Sequence, residues 1–232
     1  MLNLKNVTLF LADGRTDKKS FESSLFAIRQ CLEKVDFGEV VFQSAFVSNV
    51  SGVGYKKIKP MVIGEYSKLL SGNLIEHINK QFVLVIQHDG FVLNTANWNH
   101  DFLKYDFIGA PWLVEATQRP ECRVGNGGFS LRSKKLLDVC KNHYGGTWDN
   151  EDWQICVMKR PFFETHGITF APLELATWFS IESHIPEYDS DIKKRFGFHG
   201  QRQYDAIKEA YGLDIKNLTY SPLNDTAPVP DQ

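Results

Sequence analysis

The chain has 232 residues, 43% of them hydrophobic and 23% charged, with a formal net charge of -2. That is enough chain for one large or two small domains with a sizeable core. The charge excludes nucleic-acid binding driven by bulk electrostatics, and ordinary polarity excludes a disordered chain.

Four cysteines, Cys31, Cys122, Cys140 and Cys156, show no CxxC spacing, which argues against a zinc site or a disulfide framework. Reduced thiols in a cytosolic protein are the expectation. The first residues lack a basic region followed by an apolar one, so no secretory signal is expected, and no run is long enough to span a bilayer.

In chain order, Val7–Ala12 reads as a first buried strand ending in Asp13-Gly14-Arg15, a turn that exposes an acid and a base together. Phe21, Leu25, Ile28 and Leu32 recur at helical spacing and predict a helix from about Lys18 to Lys34. Glu39–Phe42 follows as a second strand. Strand, helix and strand make a βαβ unit and imply a parallel sheet. Neither the GxGxxG fingerprint nor the P-loop pattern is present.

Ser48–Lys59, with Lys56, Lys57 and Lys59, reads as a solvated loop, or functionally as a mobile basic segment near phosphates. Tyr66–Ile78 is predicted helical. It leads into Phe82-Val83-Leu84-Val85-Ile86, five apolar residues without alternation, which predicts a central strand buried on both faces. Gln87-His88-Asp89-Gly90 follows. In open α/β sheets ligands bind beyond the carboxyl ends of strands. Asp89 is therefore either a turn aspartate before glycine or a hard oxygen ligand for a divalent metal that holds a nucleotide diphosphate.

Phe102–Trp112 contains Pro111, which stops ladder pairing or marks a sheet edge, and Glu115–Arg123 reads as a loop. In Gly125-Asn126-Gly127-Gly128-Phe129-Ser130-Leu131-Arg132-Ser133, three glycines permit close backbone approach. The alternation after them predicts a half-buried strand, and Ser133 can cap the next helix. Glu151 and Asp152 open a helix, where plain dipole stabilisation would already favour acids. His199 lies on a turn within Phe196–Gly200, and Tyr204–Tyr211 is a short helix. Residues 219–232 form a polar tail expected to fray.

Taken together, Gln87-His88-Asp89-Gly90, Tyr105–Trp112, Gly125–Ser133, Glu151-Asp152 and Phe196–Gly200 resemble the motifs of a bacterial GT-A-like glycosyltransferase family formerly labelled a domain of unknown function, DUF5672-like. More distantly the order resembles the Fringe and β-1,3-glycosyltransferase group. The resemblance implies an α/β, GT-A-like fold with a mostly parallel central sheet flanked by helices. It implies one domain over residues 1–218, with a nucleotide-binding half over about 1–110 and an acceptor half over about 111–218.

The activity so implied is a metal-dependent, inverting hexosyltransferase in bacterial surface polysaccharide synthesis. The alternative is a non-catalytic nucleotide-sugar or glycan-binding module on the same fold. Asp89 then matches the last Asp of a DxD motif, and His199 the late metal-binding histidine. Asp152 matches the inverting base, with Glu151 as the neighbouring candidate. Gln87-His88-Asp89 departs from the motif, which has two acids.

Asp and imidazole together point to Mn²⁺, with Mg²⁺ as the alternative. Asp13, Arg15, Gln87 and His88 fall on the nucleotide side. Asn126, Gly127, Gly128 and Arg132 fall on the sugar side, and Trp148 is the candidate for stacking on an acceptor sugar. The expected donor is a nucleotide-diphosphate sugar, UDP-sugar favoured, and the acceptor a glycan or lipid-linked glycan. No nucleic acid is expected. The expected location is the cytoplasm at the inner face of the membrane, with peripheral contact through the acceptor.

Overall fold

The computed structural model describes residues 1–46 and 53–216. A six-stranded sheet runs through the middle in the order β3-β2-β1-β4-β6-β5. Its strands are β1 (Leu2–Asp13), β2 (Val35–Ser44), β3 (Gly54–Lys57), β4 (Phe82–Ile86), β5 (Phe107–Ile108) and β6 (Phe129–Ser133). β3, β2, β1 and β4 are mutually parallel, and β6 runs antiparallel to both β4 and β5. The fold is thus α/β, with a mostly parallel central sheet.

Helices cover both faces, and the residues of β1 show why. Leu9 and Leu11 pack with Leu84 and Ile86 of β4 against Ile28 and Cys31 of α1 (Lys18–Leu32). Phe10 and Ala12 point the other way, with Val83 and Val85, towards Tyr66 of α2 (Ile63–Lys68) and the irregular turns after it, which contribute Leu70 and Leu74. The period of two is present, but both faces are apolar, so the sequence reads as an unbroken run. A third cluster joins β5 to α4 (Lys134–Val139), α5 (Glu151–Trp153) and α6 (Arg160–Thr165). α3 (Val114–Thr117) is a single turn. α7 (Leu173–Phe179) runs into β7 (Ser180–Ile181), which pairs in parallel with β8 (Gly197–Phe198); α8 (Tyr204–Tyr211) follows.

Several local expectations need correction. Gly54–Lys57 is a strand, not a loop: it adds to the edge of β2, where its lysines remain in solvent, as edge strands favour. Glu115–Arg123 holds α3 and a further short turn at Pro120–Cys122 rather than open loop. β6 is buried at all five positions. It is not half-buried, because its polar Ser130 and Arg132 face other protein side chains instead of water. Residues 48–52 of the predicted basic loop and the tail 219–232 lie outside the described residues. Among the described residues, no helix is long and apolar enough to cross a membrane.

The strand order fixes where the site lies. The chain steps from β1 outward to β2 and β3, then returns to place β4 on the other side of β1. Neighbouring parallel strands whose connections diverge leave a crevice beyond their carboxyl ends. Asp13 closes β1 and Gln87 follows β4 directly, so both open on this crevice.

Candidate active site

At the β1 side, Asp13 and Arg15 are not exposed together as expected. Their side chains are 1% and 9% exposed and form an ion pair, Arg15 Nε to Asp13 Oδ1, at 2.6 Å. The other carboxylate oxygen accepts from Ser24 Oγ of α1 at 2.7 Å. Burying two opposite charges requires such pairing. Arg15 Nη2 lies 3.0 Å from His88 Nδ1. A guanidinium only donates, so Nδ1 is the acceptor and the ring proton sits on Nε2. Burial pushes the pKa of His88 down to about 4 despite Asp89 beside it, so the ring is neutral. His88 thus joins the β1 side of the crevice to the β4 side.

At the end of β4, Asp89 is 5% exposed. Its Oδ1 is buried without a hydrogen bond among the described residues, and lies 3.4 Å from His199 Nε2 and 3.6 Å from His88 Nε2. Asp89 and His199 are 110 residues apart in sequence, as their numbers give; β8 brings them together. Gly200, at φ +91°, makes the turn that seats His199 and donates its N–H to the Asp89 carbonyl at 2.9 Å.

Behind the imidazole stands Glu182, whose Oε1 is 3.2 Å from His199 Nδ1. β7 and β8 pair Ile181 with Phe198, and the residues directly after these strand ends are Glu182 and His199. Burial alone would lower the pKa of His199, but the carboxylates of Asp89 and Glu182 on either side of the ring outweigh it and push the value up to about 10. The same contact with His199 holds Asp89 well below the usual carboxylate range, against the effect of burial.

The glycine-rich entry to β6 lies alongside. Asn126 has a left-handed backbone, φ +67°, and its Oδ1 accepts from Gly128 N at 3.0 Å and Phe129 N at 3.3 Å. Asn tolerates this conformation because its side chain bonds locally. Its Nδ2 reaches to 3.1 Å from His199 Nδ1. The space beside both glycines is filled by the chain itself. A Cβ on Gly128 would lie 2.1 Å from His199 Nε2, and one on Gly127 2.2 Å from Glu151 Oε1. Gly128→Ala therefore displaces the imidazole. We expect a stability loss of about 1–3 kcal/mol, read by urea unfolding, together with weaker divalent-metal binding; an unshifted unfolding midpoint would contradict this packing.

Of the acidic pair, Glu151 points inward and Asp152 stays half-buried at the surface. Glu151 accepts from Arg132 Nη2 at 2.9 Å, and Arg132 is fully buried. The Arg132 guanidinium is thus closed off from the crevice, contrary to the expectation of a sugar contact. Asp152 Oδ2 accepts from Gly127 N at 2.8 Å, so it adjoins the same glycine loop that packs on His199. Trp148 is 63% exposed and lies over Gly64 of α2.

Asp89, Glu182, His199 and Arg202 line a cleft of ≈ 440 Å³, large enough for part of a nucleotide sugar. Sequence reading missed Glu182, Tyr66 and Arg202. No short-range pattern marks Glu182; only the pairing of two two-residue strands reveals it.

Asp89 and His199 fit a divalent metal. Asp89 offers a buried oxygen with no hydrogen bond, His199 Nε2 faces it, and Glu182 backs the other ring nitrogen as outer carboxylates do for metal-bound histidine. Among the described residues there is no group of three or more His, Cys, Asp or Glu side chains that could hold a metal. Such a cation would therefore draw its remaining ligands from other donor types.

The family model described as "Protein of unknown function (DUF5672)" matches residues 61–199, more than half of the chain. The chain belongs to the DUF5672 family. The matched span of this DUF5672 protein holds Gln87, Asp89, the glycine loop, Asp152, Glu182 and His199, and begins after Asp13 and Arg15. No curated protein matches the sequence. Among solved structures, it is similar to mannosyltransferase PcManGT from Pyrobaculum calidifontis in complex with GDP-Man and Mn²⁺. That match has 11% identity and a TM-score of 0.46, over 73% of this chain and 55% of that one. It is also similar to a glycosyltransferase involved in the glycosylation of the major capsid of PBCV-1, at 12% identity and a TM-score of 0.48, over 89% and 99%. The DUF5672 chain thus spans about half the length of the first of these.

Proposed function

We propose that this protein is a divalent-metal-dependent, inverting glycosyltransferase. It would move a sugar from a nucleotide-diphosphate donor, a UDP-sugar by preference, to a glycan or lipid-linked glycan hydroxyl in bacterial surface polysaccharide synthesis, at the cytoplasmic face of the membrane. The reading rests on one observation: an unbonded buried Asp89 oxygen 3.4 Å from His199 Nε2, at the carboxyl end of a central strand. Asp89 and His199 would hold Mn²⁺ or Mg²⁺, and such a cation neutralises charge on a departing diphosphate.

The chain's own residues supply the rest. Glu182 holds the His199 ring in place. Arg202, the one Arg or Lys among the described residues lining the cleft, offsets the Glu182 charge and attracts the diphosphate. The buried Asp13–Arg15–His88 chain shapes the nucleoside side of the crevice. Asp152 takes the proton from the acceptor hydroxyl, and Trp148 offers its open ring face to the acceptor sugar. The second reading, a nucleotide-sugar or glycan-binding module, is favoured by the replacement of one motif acid by Gln87.

Thermal unfolding with nucleotide diphosphates, with and without Mn²⁺, tests the proposal. A ligand at a hundredfold its Kd stabilises by about 2.7 kcal/mol, which for a chain of this size raises Tm by roughly 5–10 °C. We expect that rise with one nucleotide diphosphate and Mn²⁺ together, and a smaller one after chelation. No shift with any nucleotide diphosphate, with or without metal, would overturn the proposal.

A further inference from the structure

Gln87 stands where a DxD motif carries its first acid, and its side chain is held by two neighbours. Its Nε2 donates to the hydroxyl of Tyr66 at 3.0 Å. Tyr66 is buried in α2. With the amide nitrogen committed to that side, the carbonyl must face the other way, and Oε1 lies 3.1 Å from His199 Nε2. The unbonded Asp89 Oδ1 faces the same nitrogen at 3.4 Å. A carboxylate oxygen and a carboxamide oxygen therefore both approach one imidazole nitrogen within 3.4 Å.

We propose that Gln87 Oε1 is a third protein ligand of a divalent cation at Asp89 and His199, and that Tyr66 is the positioning residue that keeps this oxygen, rather than the NH₂ group, turned towards it. The inference rests on the metal reading above and deepens it. An uncharged amide oxygen is a hard donor, as carbonyl ligands of cations are. It completes a set of two oxygens and one imidazole nitrogen, which suits Mn²⁺. The arrangement also explains why the motif works with one acid: the carboxamide supplies the ligand atom, and Tyr66 supplies the orientation that a symmetric carboxylate would not need.

The test is Mn²⁺ alone, titrated into the full chain and followed by the electron paramagnetic resonance signal of the free ion. Wild type is compared with Asp89→Asn, Gln87→Ala, Gln87→Glu, Tyr66→Phe and the Tyr66→Phe/Gln87→Glu double variant, each checked for folding by circular dichroism. Loss of a ligand or of its orienting partner is expected to weaken Mn²⁺ binding about 10–100-fold, so Gln87→Ala and Tyr66→Phe should both fall in that range. Gln87→Glu should bind at least as tightly as wild type. The deciding comparison is the double variant. A glutamate presents an oxygen in either orientation, so Tyr66→Phe should weaken binding beside Gln87 but not beside Glu. A purely structural Tyr66 would weaken both alike.

If Gln87→Ala binds Mn²⁺ as wild type does while Asp89→Asn does not, this inference falls and the metal reading stands. If wild type itself retains no Mn²⁺, both fall.

Discussion

Asp152→Asn should lower the transfer rate by about 10²–10⁴-fold, the range in which a positioned general base contributes, and leave nucleotide binding unchanged. The separation follows from where Asp152 sits. Its Oδ2 is fixed by the Gly127 N–H at 2.8 Å and its Oδ1 by the Trp153 N–H at 2.7 Å. The carboxylate is thereby aimed without being enclosed, and each oxygen keeps a lone pair for an incoming hydroxyl proton. Asparagine retains the size and one acceptor oxygen but cannot take the proton. One backbone N–H loses its partner, a cost of about 1–3 kcal/mol at most for a half-buried group. The cleft residues Asp89, His199 and Arg202 are untouched, so the affinity for a nucleotide diphosphate should hold. The measurement is kcat for sugar release or transfer beside Kd for the nucleotide. Undiminished kcat would remove Asp152 from the mechanism. A protein that binds nucleotide but turns over in neither form would be the binding module instead.

Arg132→Leu should destabilise the fold by about 3–5 kcal/mol, because it leaves Glu151 buried without its counter-charge. Against a typical total of about 5–15 kcal/mol this is severe, and Tm should fall by roughly 6–20 °C. Among the described residues, Arg132 is the largest fully buried side chain. Its Nη2 donates to Glu151 Oε1 at 2.9 Å, Nε to Ser130 Oγ at 3.0 Å and Nη1 to the Leu70 carbonyl at 3.4 Å, and its guanidinium lies 5.3 Å from the Phe107 ring centre. One side chain thus ties β6 to the start of α5 and to the turn after α2. Removing both charges, Arg132→Leu with Glu151→Leu, should recover much of the loss, since no lone charge then remains inside. Urea unfolding of the two variants checks both statements. A surface arginine reaching for a sugar would give the opposite pattern, an unchanged midpoint and a weaker substrate affinity.

The contrast between these two residues shows how far reading the sequence reaches. Ser133 is legible as a helix cap, and its hydroxyl accepts from Leu136 N at 3.0 Å. Tyr204–Tyr211 is legible as a helix and has those bounds. Arg132 is not legible as interior: arginine in an alternating strand reads as solvent-facing, and only the distant Glu151 makes its burial tolerable. Asp13 and Arg15 mislead for the same reason, since a turn acid and base look exposed until Ser24 and His88 are packed on them. The glycines of the β6 entry announce a close approach, but not what approaches; it is Glu151 and His199.

The sequence by itself determined the parallel βαβ start, the doubly buried β4 and the placement of Asp89 at its carboxyl end, because apolar runs, helical periodicity and turn residues are local signals. The family resemblance already paired His199 with Asp89, but only the tertiary structure gave their 3.4 Å approach, placed Glu182 behind the imidazole and turned the Gln87 oxygen inward. Those contacts join residues far apart along the chain through short strands and buried polar pairs, whose stability comes from partners that no local pattern encodes.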